Sequence, residues 1–171
     1  MKEKKISNKE TKISMSEIVM PNDTNNLNTL FGGKLMYWMD MAAAICAHKH
    51  TNSIVVTASV DNITFKKPIY KGDIVTLNTF ITRVFNSSME IFIEVTAQNS
   101  TNKKIIKSNT GFFTLVSLNK KGKPKKAKNV YPKDENDKKL YDGALRRRQL
   151  RLILAGKMKP EDASELKSIF N

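Results

Sequence analysis

Residues Leu30–His50 read LFGGKLMYWMDMAAAICAHKH, and this stretch decides the fold. A Gly-Gly pair opens it, and Asp40 is the only acidic residue among the mainly apolar residues 35–47. The pattern predicts a helix over Gly32–Lys49, about 25 Å long at 1.5 Å per residue. It is too short and too interrupted to span a bilayer, which takes about 20 apolar residues. A helix that is apolar nearly all round is buried on most sides, so a sheet is expected to wrap it. A carboxylate in its middle then requires an explanation, because burying an unpaired charge is costly.

The regions flanking this helix are rich in β-branched residues and alternate between apolar and polar residues, which predicts strands. The predicted strands cover residues 12–20, 53–65, 74–85, 89–99 and 104–118. Short turns join the last three, which indicates an antiparallel meander. One long buried helix among antiparallel strands is typical of an α+β domain.

Composition divides the chain into three parts. Residues 1–11 are predicted to be a disordered lead-in, residues 12–132 the folded domain, and residues 133–171 a basic helical extension. Within the extension, one helix is predicted over residues 134–156 and a second over residues 160–170. No apolar segment of a signal peptide opens the sequence, and the single cysteine, Cys46, excludes an internal disulfide. A cytoplasmic location is therefore expected. Cys46 lies in the apolar helix and is expected to be a core residue rather than a nucleophile.

The net charge of +14 favours anionic partners. Two runs, residues 120–128 and residues 146–151, hold much of it, and the simplest interpretation of such runs is a solvated surface. Nucleic acid, an anionic membrane and a phosphorylated cofactor are the alternatives. Residues 144–154 (ALRRRQLRLIL) are typical of a helix that makes weak contact with a membrane surface. No specific nucleic-acid partner is expected.

Several short motifs follow one another in a fixed order. They are Pro21-x-Asp23-Thr24-Asn25, Leu30-Phe31-Gly32-Gly33-x-Leu35-Met36, Met39-Asp40-x-Ala42-Ala43, Val56-Thr57-Ala58-Ser59-Val60-Asp61, Phe65-x-x-Pro68-Ile69, Gly72-Asp73, Ser87-Ser88-Met89 and Phe112-Phe113-Thr114-Leu115-Val116. With this ordered set, about residues 12–132 resemble the hotdog-fold acyl-CoA thioesterases of the cytosolic acyl-CoA hydrolase type. The resemblance implies an α+β hotdog fold, with an antiparallel sheet wrapped around the helix. It also implies a homodimer as the minimal unit, assembly as a trimer of dimers, and an active site built from both subunits.

The resemblance makes Asp40 the catalytic carboxylate for hydrolysis of fatty acyl-CoA. Asp40 would act as a general base on water or as a nucleophile that forms an anhydride. The N–H groups of Gly32 and Gly33, at the helix N-terminus, are candidates for binding the oxyanion. Thr29 stands where two-domain mammalian relatives have asparagine, and Asn25 is the other polar candidate from the same loop. From the residues alone, two roles of Asp40 are about equally well supported. One is a structural carboxylate that accepts hydrogen bonds from its neighbours, and the other is a catalytic carboxylate.

The remaining candidates are residues that would bind the substrate. They are Gly32, Phe31, Ser87, Ser88, Lys66 and Arg83, with Lys67 and residues 146–148 as further basic candidates. Coenzyme A is part of the substrate and product, so no cofactor is expected. No metal is expected either, because His48 and His50 lack an accompanying cysteine or acidic cluster. The sequence has no Gly-x-Ser-x-Gly motif, so a serine hydrolase triad is not supported.

The alternative function is a hotdog protein that binds acyl-CoA as a sensor or regulator without hydrolysing it. The basic runs would give such a protein non-specific affinity for DNA. Regulators of this kind carry an N-terminal DNA-binding helical domain, whereas about eleven residues precede the first predicted strand here. The presence of Asp40 also favours hydrolysis.

Overall fold

The computed structural model describes residues 6–168, and its secondary structure follows the sequence pattern closely. The elements in chain order are β1 (Ile6–Ser7), β2 (Ile13–Ile18), α1 (Gly32–Thr51), β3 (Ile54–Phe65), β4 (Ile74–Phe85), β5 (Ser88–Gln98), β6 (Ile105–Leu118), β7 (Val130–Tyr131), α2 (Glu135–Leu154) and α3 (Ser164–Lys167). The predicted helix and all five predicted strands are present, with ends that differ by no more than two residues. Asn52, in the left-handed conformation, ends α1, as asparagine does at many helix C-termini.

Five strands form one antiparallel sheet in the order β2-β4-β5-β6-β3. The strands β4, β5 and β6 make the predicted meander, and β3 returns to pair with β6 at one edge. Alternate residues of β4 and β5, such as Leu77 and Ile93, are fully buried against α1. The curled sheet around one long helix is the α+β hotdog fold that the sequence predicts.

Within one chain, α1 is buried on one side only. The residues in the core are Leu35, Trp38, Met39, Ala42, Ala43, Cys46 and Ala47. The opposite side exposes Met36, Tyr37, Met41 and Ile45. The prediction of a helix buried on most sides is therefore wrong for the single chain, because the sheet covers one face and leaves an apolar face open.

The strand β3 lies at an edge of the sheet and pairs only with β6 among the strands of the described residues. Irregular register interrupts it twice, between Thr57 and Ser59 and between Asp61 and Thr64. It exposes Ile54, Val56, Val60 and Phe65. A long edge strand with exposed apolar residues is a template for pairing with another chain.

The predicted disordered lead-in is wrong for residues 6–11, whereas residues 1–5 lie outside the described residues. The strand β1 pairs in parallel with β7. Ser7 caps a short 3₁₀ turn in a capping box with Glu10, and the Thr11 hydroxyl accepts a hydrogen bond from the Ile81 N–H at 3.0 Å. Lys9 forms ion pairs with Asp134 and Asp137 at the start of α2. These local caps and long-range pairs order a segment whose composition is that of a tail.

The extension contains α2 close to its predicted place, with Asp134 as the N-cap residue. Residues 160–170, predicted to be one helix, form a 3₁₀ turn over Pro160–Asp162 and then α3; residues 169 and 170 lie outside the described residues. The helix α2 packs on the face of the sheet opposite α1, through the pair Arg147–Glu90. No helix in residues 6–168 is long and apolar enough to cross a membrane. The boundary at residue 132 stays a prediction.

Candidate active site

The carboxylate of Asp40 lies on α1 at the side that the sheet leaves open. Its side chain is half-buried, and its Oδ1 accepts a hydrogen bond of 2.6 Å from the Thr57 hydroxyl. Thr57 faces α1 because it pairs with Leu115, a fully buried residue of β6. Among the described side chains of residues 6–168, which do not include that of Asn62, no hydrogen-bond donor occupies Oδ2 of Asp40. One oxygen is thus held, and no described donor holds the other, which could bind a water molecule or a ligand.

The loop before α1 is organised by the side chain of Asn25. Its Oδ1 accepts from the N–H groups of Leu27 at 2.9 Å and of Thr29 at 3.2 Å. Its Nδ2 lies 2.9 Å from the Thr29 hydroxyl oxygen. The structure therefore brings together the two predicted loop residues, Asn25 and Thr29. In the described contacts of this chain they bond to each other and not to Asp40.

Asp23 fixes the same loop to the start of α1. Its carboxylate accepts the Met20 N–H at 3.0 Å and pairs with the Lys34 ammonium at 3.1 Å. Burial raises the pKa of the Asp23 carboxyl, but this hydrogen bond and the Lys34 charge outweigh burial and leave the pKa below its usual value. The ionised form of Asp23 is therefore the one that the fold stabilises.

The helix α1 begins at Gly32 and Gly33 without a side-chain cap. The Lys34 N–H donates to the Phe31 carbonyl oxygen at 2.9 Å, whereas the N–H groups of Gly32 and Gly33 have no acceptor among the described residues, so these two are available to an anion. Gly33 and Asp40 share one face of α1, because seven residues make nearly two turns, and they lie about 10 Å apart along the axis. A Cβ atom at Gly33 would lie 2.8 Å from the Phe31 ring, whereas one at Gly32 would make an ordinary contact with Phe65 at 3.5 Å.

A cavity of about 270 Å³ lies beside the N-terminus of α1. Its lining residues are Thr29, Leu30, Gly32, Leu35, Phe65, Lys66, Lys67, Pro68, Ile69 and Asn109. It brings together three of the predicted site residues, Thr29, Gly32 and Lys66, and the exposed Phe31 directly precedes Gly32 in sequence. Asp40 does not line it. Asp40 with Thr57 and the cavity are thus two separate features of the α1 side of the chain.

Two predicted substrate-binding residues contact α2 on the other face of the sheet. Arg83 lies over the Tyr141 ring at 4.1 Å and donates to the Tyr141 carbonyl oxygen. Ser88 accepts a hydrogen bond from Arg148 at 3.1 Å. Ser87 lies in the tight turn before β5, next to Ser88. The structure does not bring these residues together with Asp40 in one chain.

Thr57 is a site residue that the sequence analysis missed. It was included in the motif Val56–Asp61 but given no role of its own. The signal that could have identified Thr57 is its hydroxyl group. A carboxylate on the central helix needs a hydrogen-bond donor, and a neighbouring strand can supply one. Which residue of the strand would face Asp40 depended on the register of β3 and its bulges.

Comparison with known proteins decides the family. The family model of the thioesterase superfamily matches residues 27–103 of this chain. An uncharacterized acyl-CoA thioester hydrolase of Bacillus subtilis is 41% identical over 139 residues, which cover 81% of this chain and 81% of that protein. The chain belongs to the acyl-CoA hydrolases of the thioesterase superfamily. This hydrolase also matches two solved relatives along nearly their whole length.

The first is an acyl-CoA hydrolase from Staphylococcus aureus in complex with butyryl coenzyme A, coenzyme A and coenzyme A disulfide. It is 38% identical, has a TM-score of 0.82, and the match covers 90% of this chain and 96% of that one. The second is a hexameric acyl-CoA thioesterase without ligand, 36% identical with a TM-score of 0.85, covering 89% of this chain and 97% of that one.

The Staphylococcus aureus enzyme has also been solved as three single alanine variants. They replace an asparagine, an aspartate fifteen residues later and a threonine seventeen residues after that. Asn25, Asp40 and Thr57 have the same two spacings in this hydrolase. The three residues that its structure places in the loop, on α1 and on β3 therefore correspond in type and order to positions chosen for mutation in that relative.

Proposed function

We propose that this hydrolase cleaves fatty acyl-CoA to a free fatty acid and coenzyme A, with Asp40 as its catalytic carboxylate. The observation that carries the proposal is the 2.6 Å hydrogen bond from Thr57 to Asp40 Oδ1. It holds the carboxylate in one orientation, and no described hydrogen-bond donor occupies Oδ2. A merely structural carboxylate on this helix would be expected to have both oxygens satisfied and buried.

The proposed reaction uses Asp40 as a general base or as a nucleophile. As a base, it accepts a proton from water while the water oxygen bonds to the thioester carbon. The tetrahedral oxyanion then collapses, the carbon–sulfur bond breaks, and the proton goes to the coenzyme A thiolate. As a nucleophile, Asp40 bonds to the carbon itself, the carbon–sulfur bond breaks, and coenzyme A leaves as a thiolate that takes a proton from water. Water then hydrolyses the anhydride to the fatty acid and restores the Asp40 carboxylate. In both cases the proposed donor to the oxyanion is the N–H of Gly33 of the partner subunit, because Gly33 and Asp40 of one chain lie too far apart along α1 to reach one thioester carbonyl.

The proposed active unit is a homodimer formed through β3 and the open face of α1. Three features support this pairing: the free edge of β3, its exposed apolar residues, and the exposed face that includes Met36 and Tyr37. In one chain the Asn25–Thr29 loop does not contact Asp40, so we propose that the partner subunit's loop completes the site. A trimer of dimers is the proposed full assembly, and one solved relative is hexameric.

For substrate binding, we propose that the cavity with Thr29, Gly32 and Lys66 receives part of the acyl-CoA, with Phe31 at its side. Ser87, Ser88 and Arg83 stay predictions, and the contacts of Ser88 and Arg83 with α2 do not support a role of these two in substrate binding within a single chain. The structure also does not favour the predicted membrane contact through α2. Its residues Arg147, Arg148 and Arg151 form hydrogen bonds to the sheet, so they do not face a membrane. A cytoplasmic location agrees with the mouse relative named a cytosolic hydrolase.

Release of coenzyme A from acyl-CoAs of several chain lengths tests the proposal. We expect Asp40→Asn to lower kcat by about a hundredfold or more. Thr57→Val removes a hydrogen bond to a charged group, worth about 1.5–3 kcal/mol, and should lower kcat by about tenfold or more. The matched control is Thr110→Val on β6, where the side chain faces away from α1.

Two results would contradict the proposal. An Asp40→Asn protein that folds, assembles and still turns over acyl-CoA at the wild-type rate would remove Asp40 from the chemistry. A wild-type protein that binds acyl-CoA tightly without releasing coenzyme A would favour the sensor function instead.

A further inference from the structure

The basic residues of this hydrolase fall into two structural groups. Most arginines of α2 are engaged with the sheet: Arg147 with Glu90, and Arg151 with Asp61. The lysines of residues 120–128 (KKGKPKKAK), which we name the lysine loop, are instead exposed. None of its six lysines lies within 4.0 Å of a carboxylate in the described part of the chain. Six exposed lysines in nine residues make this loop the densest run of unpaired positive charge in the described part of the chain.

The lysine loop is an ordered part of the fold rather than a loose linker. The Asn119 N–H donates to the Lys123 carbonyl oxygen at 2.8 Å, and the Lys125 N–H donates to that of Ser117 at 2.8 Å. Ala127 is 4% exposed, and its N–H donates to the Asn86 carbonyl oxygen. A loop fixed at both ends presents its charges in one place, so its field has a definite direction.

The lysine loop lies at the end of α1 and β3 that adjoins the Asp40 region. Lys125 Nζ donates to the Ser53 hydroxyl at 2.6 Å, and His50 Nε2 lies 2.8 Å from the Lys128 carbonyl oxygen. Ser53 precedes Thr57 by four residues, or about 13 Å of strand. This distance exceeds the Debye length of about 8 Å at physiological ionic strength but is well within the Debye length of about 30 Å at 0.01 M salt. The field of the loop therefore extends to the candidate site at low ionic strength.

We propose that the lysine loop captures the phosphate-bearing part of the substrate and steers acyl-CoA towards the site. The inference rests on the proposed function. Coenzyme A carries a diphosphate and a 3′-phosphate, which makes acyl-CoA a polyanion whatever its acyl chain. A fixed cluster of one sign raises the local concentration of an oppositely charged substrate and its association rate, by about tenfold or more at low salt. The loop acts on encounter and not on the reacting thioester.

The test compares a charged and an uncharged thioester with the same acyl chain. The substrates are acyl-CoA and the acyl thioester of N-acetylcysteamine, which has no phosphate. The loop variant combines four exposed lysine replacements and keeps Lys125 and Lys128, which bond to the fold: Lys120→Gln, Lys121→Gln, Lys123→Gln and Lys126→Gln. The matched control removes four exposed lysines of the extension: Lys138→Gln, Lys139→Gln, Lys157→Gln and Lys159→Gln.

For acyl-CoA at low ionic strength, we expect the loop variant to lose about tenfold in kcat/KM with kcat unchanged. The loss should shrink as salt is raised, because screening removes the effect from the wild type. Neither the control variant on acyl-CoA nor the loop variant on the N-acetylcysteamine thioester should lose as much. This combination identifies capture of the phosphates. The control variant loses as much positive charge as the loop variant, which controls for net charge. The uncharged thioester is tested on the same loop variant, which controls for any change in the structure of the loop.

Three outcomes would overturn the inference: an unchanged kcat/KM in the loop variant, an equal loss in the control variant, or an equal loss on the uncharged thioester. Unchanged kcat/KM together with lost binding to vesicles of anionic lipid would assign the loop to membranes. If the wild type hydrolysed neither thioester, the proposed function would fail first. Titration with coenzyme A would then still decide the inference, because equal Kd values for wild type and loop variant would refute capture.

Discussion

Replacement of Arg147 by methionine tests how the sheet holds α2. The Glu90 side chain is fully buried, and Arg147 binds it through two hydrogen bonds, Nε to Oε2 at 2.9 Å and Nη2 to Oε1 at 2.8 Å. The Thr82 hydroxyl donates a third at 2.6 Å, and the guanidinium lies 3.8 Å from the Phe112 ring centroid. Methionine keeps much of the contact with the ring but leaves a buried carboxylate without its cation.

Removing one partner of a buried ion pair costs about 3–5 kcal/mol. The Arg147 side chain is 19% exposed, so water can approach the vacated position, and we expect the lower end, about 3 kcal/mol. For a chain of this size Tm changes by about 2–4 °C per kcal/mol, which gives a decrease of about 6–12 °C. Urea and thermal unfolding should be measured at one fixed protomer concentration, because assembly would also shift Tm.

The double variant Glu90→Leu with Arg147→Met is the control that identifies the cause. It removes both charges, and apolar replacement of a buried pair is often close to neutral. We therefore expect the double variant to recover most of the stability that Arg147→Met loses. A loss below about 1 kcal/mol in Arg147→Met, or a double variant as unstable as the single one, would refute the reasoning.

Three further predictions concern the α1 side. Gly33→Ala should lower kcat/KM by about tenfold, because its methyl group would displace the Phe31 ring beside the proposed oxyanion donor; Gly32→Ala, which has space, should retain activity, and the reverse order in a coenzyme A release assay would be inconsistent with this. The lowered pKa of Asp23 means that its contribution to stability is full above its unfolded value of 3.8 and is lost as pH falls through the lower folded value. Unfolding measured between pH 5 and pH 2 should show a smaller acid dependence in Asp23→Asn, and an identical dependence would contradict this assignment. Burial raises the pKa of the Cys46 thiol to about 11, so iodoacetamide at pH 8 should label the unfolded protein but not the native one, as mass spectrometry can check.

The main chain of this fold is predictable from sequence because its periodicities are strong. The apolar run with Gly-Gly at its start predicts α1, and alternation in β-branched segments predicts the five strands to within two residues. The ordering of residues 6–11 was not predictable in the same way. It depends on a parallel pair between β1 and β7 and on Lys9, contacts that join residues more than 120 positions apart.

The candidate site was predictable in its residue types but not in its grouping. Asp40 and the loop residues Asn25 and Thr29 follow from the motifs. The partnership of Asp40 with Thr57 depends on how α1 crosses β3 and on the bulge after Thr57. The predicted roles of Arg83 and Ser88 have a related weakness. Alternation along a strand does not say which face of the sheet the central helix covers. Both residues lie on the other face, where they contact α2.

The pairing of β1 with β7 also sets an order on biosynthesis. Ile6 leaves the ribosome early, yet its partner Val130 is made 124 residues later. Because chains fold as they are synthesised, from the N-terminal end, the sheet of residues 13–118 can form while residues 6–11 still wait for a partner. Residues 6–11 are thus among the last parts of the described chain to be fixed. A nascent chain stalled with residue 118 outside the ribosome and residue 130 still inside it should show residues 6–11 as protease-sensitive on an otherwise resistant sheet.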